Sequence, residues 1–112
     1  MTALTLYGLK NCDTCKKALK ALEASGKTVT FVDIRAEADL GAKVPLWLEA
    51  AGADLLVNRR STTWRTLDEA ARESDPQALL IANATLIKRP VIEHGAQVHV
   101  GWSKPVQAAL GV

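Results

Sequence analysis

The chain contains no run of 18 apolar residues and no N-terminal succession of basic, apolar and cleavage segments. This argues against a membrane-spanning helix and against a secretory leader. It also lacks internal repeats, low-complexity tracts and any linker, so its 112 residues are expected to form a single domain, 1–112, around one core. A net charge of +2 is too small to argue for nucleic acid, and no basic stripe, phosphate-cradling glycine loop or paired-carboxylate site stands out. Cysteine is scarce: two residues, Cys12 and Cys15. In a reducing compartment, and a cytoplasmic one is expected here, two cysteines suit chemistry or metal better than a structural staple. What remains, 48% hydrophobic and 23% charged residues, is ordinary globular composition.

The chain opens on an apolar strand, Ala3–Tyr7. Cys15, Ala18, Leu19 and Leu22 then recur at i, i+3, i+4 and i+7, which predicts a helix from about Asp13 to Ala24 with Gly26 as its stop signal. Val29–Ile34 is rich in β-formers and reads as a second strand, parallel to the first with a right-handed crossover. From Arg35 to Asn83 no convincing strand occurs. Helices are expected at Ala42–Ala51, with Pro45 in its first turn, at Trp64–Glu73, and from Pro76 to about Ala82. Asp54–Val57 is a short apolar piece leading into the polar run 58–63. Sheet character returns after Arg89-Pro90 with a hairpin, Val91–Glu93 and Gln97–Val100, around a His94-Gly95-Ala96 loop. Ser103 caps a last helix with Pro105 in its first turn and Val106, Ala109 and Leu110 turned inward. The order β-α-β, helices, β-β-α predicts an α/β chain of thioredoxin-like fold, with a four-stranded mixed sheet and a helical insertion over about 36–86.

The strand-to-helix turn carries the chemistry. Cys12 falls where the first helix begins, facing unpaired backbone N–H groups and the positive end of the helix dipole. Lys10, Lys16 and Lys17 add positive charge nearby, and the thiolate is the nucleophilic form. Cys12-x-x-Cys15 after a strand reads as a thioredoxin-like redox site. Cys15 lies on the apolar face, so it is either core or a resolving thiol. Residues three apart in a first helical turn satisfy the Cα spacing of a disulfide. A zinc site from the two cysteines with His94 and His99 is disfavoured, because the pairs are far apart in sequence and nothing implies their convergence. The histidines read as ordinary exposed residues, and Trp47, Trp64 and Trp102 as core or edge packing.

Leu6–Thr14 with Lys16-Lys17-Ala18, Ser61–Glu69, Leu86–Val91 and Val100-Gly101-Trp102 together resemble the arsenate reductase-like family of ArsC, Spx and the YffB-type proteins, the YffB branch most. The resemblance implies that Cys12 is the nucleophile and that Arg89 is an anion- or thiol-binding arginine beside it. It implies that Pro90 is a cis proline close to the nucleophile. Lys10 and Asn11, beside Cys12 in the turn, are candidate substrate-binding residues, and Trp102, which follows the hairpin close to the expected site, is a candidate floor for a pocket that takes a peptide-like thiol such as glutathione. The loop around Asn58, Arg59 and Arg60 matches the one where arsenate-reducing members carry another arginine, with Arg60 preferred over Arg59.

Two departures shape the expected function. Arsenate-reducing members place a third arginine after the hairpin, where this chain has Gly101-Trp102, and one missing guanidinium weakens the grip on a tetrahedral oxyanion. Cys15 stands where YffB-type proteins usually carry an apolar residue, whereas Spx-type regulators carry Cys-x-x-Cys. The resemblance therefore implies a small thiol-dependent oxidoreductase, monomeric, with glutathione as co-substrate and glutaredoxin as a possible partner, and neither metal nor bound cofactor. The alternative is an Spx-like redox-sensing regulator that binds RNA polymerase.

Overall fold

The structure is a computed structural model and describes residues 3–112. A four-stranded mixed sheet has the order β2-β1-β3-β4: β1 (Ala3–Gly8) runs parallel to β2 (Thr28–Asp33) and antiparallel to β3 (Val91–His94), which pairs antiparallel with β4 (Gln97–Val100). Alternation along β1 divides the core in two. Leu4 and Leu6 pack with Cys15, Ala18, Leu22, Ile92 and Leu110 on one face, while Tyr7 packs with Ile34, Trp47, Leu56, Leu80 and Ile87 on the other. The sheet is thus the middle of three layers, with α1 (Asp13–Ala24) and α7 (Lys104–Ala109) on the first face and the helices between β2 and β3 on the second. This is the thioredoxin-like architecture.

Helix α1 buries Cys15, Ala18 and Leu22, the stripe its spacing announces. Its end is a Schellman turn: the Lys27 N–H reaches the Leu22 carbonyl at 3.2 Å and the Gly26 N–H reaches Glu23 at 3.0 Å, with Gly26 at φ +88°.

The segment between β2 and β3 is helical, as expected, but cut differently. α2 spans Leu40–Ala51 because the Asp39 carboxylate accepts from the Ala42 N–H at 3.3 Å and starts the helix two residues early. Pro45 consequently lies in the second turn, not the first, and removes a helical bond where Gly41, four residues back, is exposed. The apolar piece at 54–57 is the single-turn helix α3 (Ala53–Leu56), after which Val57 bridges Ile87.

The expected helix 64–73 is two helices, α4 (Thr62–Thr66) and α5 (Glu69–Arg72). The Asp68 side chain accepts from the Ala71 N–H at 2.7 Å and restarts the chain, while the Arg72 guanidinium folds back onto the Trp64 carbonyl at 3.0 and 3.2 Å. α6 (Pro76–Ala82) begins as its sequence predicts, capped by Asp75 with Pro76 first.

In the hairpin, His94 belongs to β3 and pairs with Gln97, leaving a two-residue loop whose Gly95 has φ +60°. In α7 the Ser103 hydroxyl accepts from Val106 at 3.5 Å. Leu110 is buried and Val106 half-buried, but Ala109 is exposed: the helix is short and its inward stripe is the i, i+4 pair alone.

Candidate functional site

Cys12 is the N-cap of α1, with φ −95° and ψ 117°, and its own side chain makes no capping bond. Its N–H is tied to the Leu9 carbonyl at 3.2 Å, and its carbonyl accepts the first helical bond, from Lys16, at 3.0 Å. The thiol is half-buried and free. Burial pushes its pKa up, but the N–H and side chain of Cys15 and the guanidinium of Arg89 outweigh that and bring it below the ordinary value. The flanking lysines, expected to supply this effect, are not among the principal causes; Lys10, Lys16 and Lys17 are all exposed.

Cys15, one turn on, is 1% exposed. Burial, with a smaller contribution from the neighbouring Cys12 thiolate, pushes its pKa up to about 12, against opposing effects of the Leu9 backbone and Arg89. The last residue of β1 makes room for it. A Cβ added at Gly8 would fall 2.5 Å from Cys15 Sγ. Sequence reading gave Gly8 no role; a glycine just ahead of Cys-x-x-Cys was the available signal.

Arg89 reaches this corner from the loop before β3. One terminal nitrogen donates to the Thr85 carbonyl at 3.0 Å, while the Nε–H is buried and has no hydrogen-bond partner among the described residues. A buried guanidinium donor left open beside a thiol can donate to an anion that reaches it. The Arg89–Pro90 bond is cis, as the resemblance implied, and Pro90 is fully buried. Its carbonyl accepts from the Gly101 N–H at 2.8 Å, which brings the Gly101-Trp102 segment alongside. Trp102 is half-buried and packs, like Cys12, against the α1–α7 core cluster. Cys12, Cys15 and Arg89 therefore meet at one end of the sheet, and Pro90 ties the Gly101-Trp102 segment to that end.

The other predicted residues lie further out. Lys10 and Asn11 line an open groove of about 400 Å³ with Asp33 and Arg35. Lys10 also borders an apolar cavity of about 310 Å³ between α1 and β2, lined by Leu9, Cys15, Leu19 and Phe31. Arg59 pairs with Asp54 at 3.6 Å and lies over the Trp64 ring at 5.5 Å, so its charge is already engaged. Arg60 is exposed and shares with Arg59 and Lys88 a polar basin of about 310 Å³ that Cys12 does not line.

The histidines are half-buried rather than exposed: a ring nitrogen of each, His94 Nδ1 and His99 Nε2, is buried without a partner among the described residues, and burial followed by the charge of His94 lowers the His99 pKa. Sequence reading also missed Glu93. On the second face of the sheet its carboxylate accepts from Tyr7 Oη at 3.0 Å, Trp47 Nε1 at 3.1 Å and Lys43 Nζ at 3.2 Å.

Comparison with known proteins matches residues 7–108 to the ArsC family. An uncharacterized protein of Haemophilus influenzae is 41% identical, over 96% of this chain and 98% of its own. The uncharacterized Bacillus subtilis protein YusI is 30% identical, over 91% of this chain and 92% of its own. Among solved structures, a YffB protein superimposes with a TM-score of 0.86 at 34% identity, over 96% of this chain and 97% of its own. An arsenate reductase (ArsC) related protein from Brucella melitensis does so with a TM-score of 0.76, also at 34% identity, over 98% and 96%.

Proposed function

The chain belongs to the ArsC family, and on that premise we propose that it is a glutathione-dependent thiol oxidoreductase of the cytoplasm with Cys12 as its nucleophile. The carrying observation is the pairing of a half-exposed Cys12, its pKa lowered at the start of α1, with Arg89 and its unpartnered Nε–H. The Cys12 thiolate attacks one sulfur of a disulfide; a Cys12–S–S–R bond forms, the S–S bond of the substrate breaks, and the other half leaves as a thiolate. Arg89 favours the negative charge on Cys12 before attack and holds the anionic part of the substrate during it. A second thiol, glutathione, attacks the mixed disulfide, returns Cys12 to the thiolate and is itself oxidised. The two free cysteines suit a reducing compartment.

Alkylation rate against pH tests the nucleophile. The Cys12 midpoint is expected below the free-thiol value of about 8.5. Arg89→Ala raises it, and Arg89→Lys, which keeps the charge but not the planar fork, restores part of the difference. Cys12→Ser abolishes the glutathione-dependent reduction of hydroxyethyl disulfide. A Cys12→Ser variant that still turns over overturns the proposal.

A second reading, a redox-sensing regulator, is favoured by one observation: Cys15 adjoins Cys12 closely enough to influence its charge. Retention of RNA polymerase on the immobilised protein, changing with oxidation of Cys12 and Cys15, supports that reading; no retention in either redox state removes it.

A further inference from the structure

The polar basin beside Arg89 has a charge imbalance. Its lining holds three cations, Arg59, Arg60 and Lys88, and one acid, Asp54. Asp54 is taken by Arg59 at 3.6 Å, and among the described residues neither Arg60 nor Lys88 has an ion-pair partner. Two exposed positive charges therefore face one open basin of about 310 Å³, neither of them paired with an acid among the described residues.

The basin is fixed to the redox corner by backbone. The Asn58 N–H donates to Leu86 and the Lys88 N–H to Leu56, both at 2.8 Å, so the loop carrying Arg60 is laced to the strand-like segment that carries Lys88. Lys88 immediately precedes Arg89, whose guanidinium acts on Cys12. The Lys88 side chain then crosses Gly101. A Cβ at position 101 would meet Lys88 Cε at 3.1 Å and Cδ at 3.8 Å, so the glycine, at φ +83°, leaves the space in which that stem lies. Gly101 leads directly into Trp102, on the Cys12 side. Lys88 and Arg89 are chain neighbours, about 3.8 Å apart at Cα, so the edge of the basin adjoins the residue that acts on Cys12.

Building on the oxidoreductase reading above, we propose that Lys88 and Arg60 form a second cationic contact that selects carboxylate-bearing small disulfides over neutral or cationic ones. The contact strengthens binding of the anionic end while Cys12 and Arg89 handle the sulfur. It also gives Gly101 a purpose distinct from turn geometry, as the opening through which the lysine stem reaches the basin.

The test compares rates of Cys12 thiol consumption, followed by intact mass after acid quench, with oxidised glutathione, neutral hydroxyethyl disulfide and cationic cystamine. In the unmodified protein the order is expected to be glutathione disulfide, hydroxyethyl disulfide, cystamine, with the preference shrinking as salt rises. The ratio of the glutathione disulfide rate to the hydroxyethyl disulfide rate falls about threefold in Lys88→Gln, as one exposed charge pair warrants. It falls further in Lys88→Gln with Arg60→Gln, and recovers in Lys88→Arg. A ratio unchanged in the double variant while Cys12 stays reactive overturns this inference and leaves the oxidoreductase reading standing. A Cys12 that reacts with none of the three disulfides overturns both.

Discussion

With its thiol pushed up to about 12 by burial, Cys15 is protonated across the neutral range. Resolution of a Cys12 mixed disulfide by Cys15 is therefore limited by how rarely the thiolate forms, not by distance. Capture at Cys12 removes one of the charges that raises the Cys15 pKa, but the burial that dominates it stays. Release of glutathione from the Cys12 adduct is expected to accelerate about tenfold per pH unit between pH 7 and 9, in step with the thiolate fraction. With no free thiol added, Cys15→Ser accumulates the adduct instead, and quenched intact-mass time courses read both. A rate that does not change with pH contradicts this account.

Glu93 is the other residue made by its surroundings. Burial pushes its pKa up, but the Trp47, Lys43 and Tyr7 bonds outweigh it and the net shift is downward. Its folded value lies below the unfolded one of about 4.3, so this stabilisation is complete above that pH and is lost as pH falls through the folded value. Glu93→Ala also strands the indole N–H of the fully buried Trp47, at a cost of about 1–3 kcal/mol. Denaturant melts between pH 3 and 7 are expected to show the loss at neutral pH and a flatter acid limb.

At the scale of elements, the approach of β1 to α1 decides where the two sulfurs sit. Gly8 is the contact point, and its role is space, since a Cβ there would come within 2.5 Å of Cys15 Sγ and 3.2 Å of its Cβ. Gly8→Ala is expected to cost about 1–3 kcal/mol through overpacking. Gly8→Ala combined with Cys15→Ala should recover most of it, a coupling that a double-mutant cycle in chemical denaturation measures. Additive costs in that cycle would mean that Gly8 matters for another reason. The helices between β2 and β3 follow a different logic. Asp39, Ser61, Asp68 and Asp75 each accept a backbone N–H at a helix start, so capping side chains fix the phrasing of this segment more than its apolar periodicity does.

At the scale of the molecule, the strand order puts the loop after β1 beside the segment entering β3, and β4 leads Gly101 and Trp102 back to the same end. Where the family's arsenate-reducing members place a third arginine, this corner offers Trp102, packed against the α1–α7 core. Arsenate turnover with glutathione and glutaredoxin is accordingly expected to be weak beside disulfide reduction under the same conditions; comparable rates would refute it.

The sequence by itself determined the α1 stripe, the helix stop at Gly26, the parallel β1–β2 unit, the hairpin and the capped starts of α6 and α7. Each is a local pattern, readable because the residues that make it are neighbours in the chain. It also singled out Cys12 through its place between strand and helix. The first cause that lowers the Cys12 pKa, the Cys15 N–H in the first turn, is the helix-start effect that local sequence announces; only the tertiary structure adds Arg89, which arrives through a distant loop, while the adjacent lysines are exposed. The same holds for Glu93, whose three partners come from two elements remote from it in sequence, β1 and α2, and for the two helices at 62–72, where a cap and a folded-back arginine override an apparently continuous pattern. Contacts between residues remote in sequence depend on which faces the sheet brings together, and burial and charge at those contacts have no counterpart in local spacing.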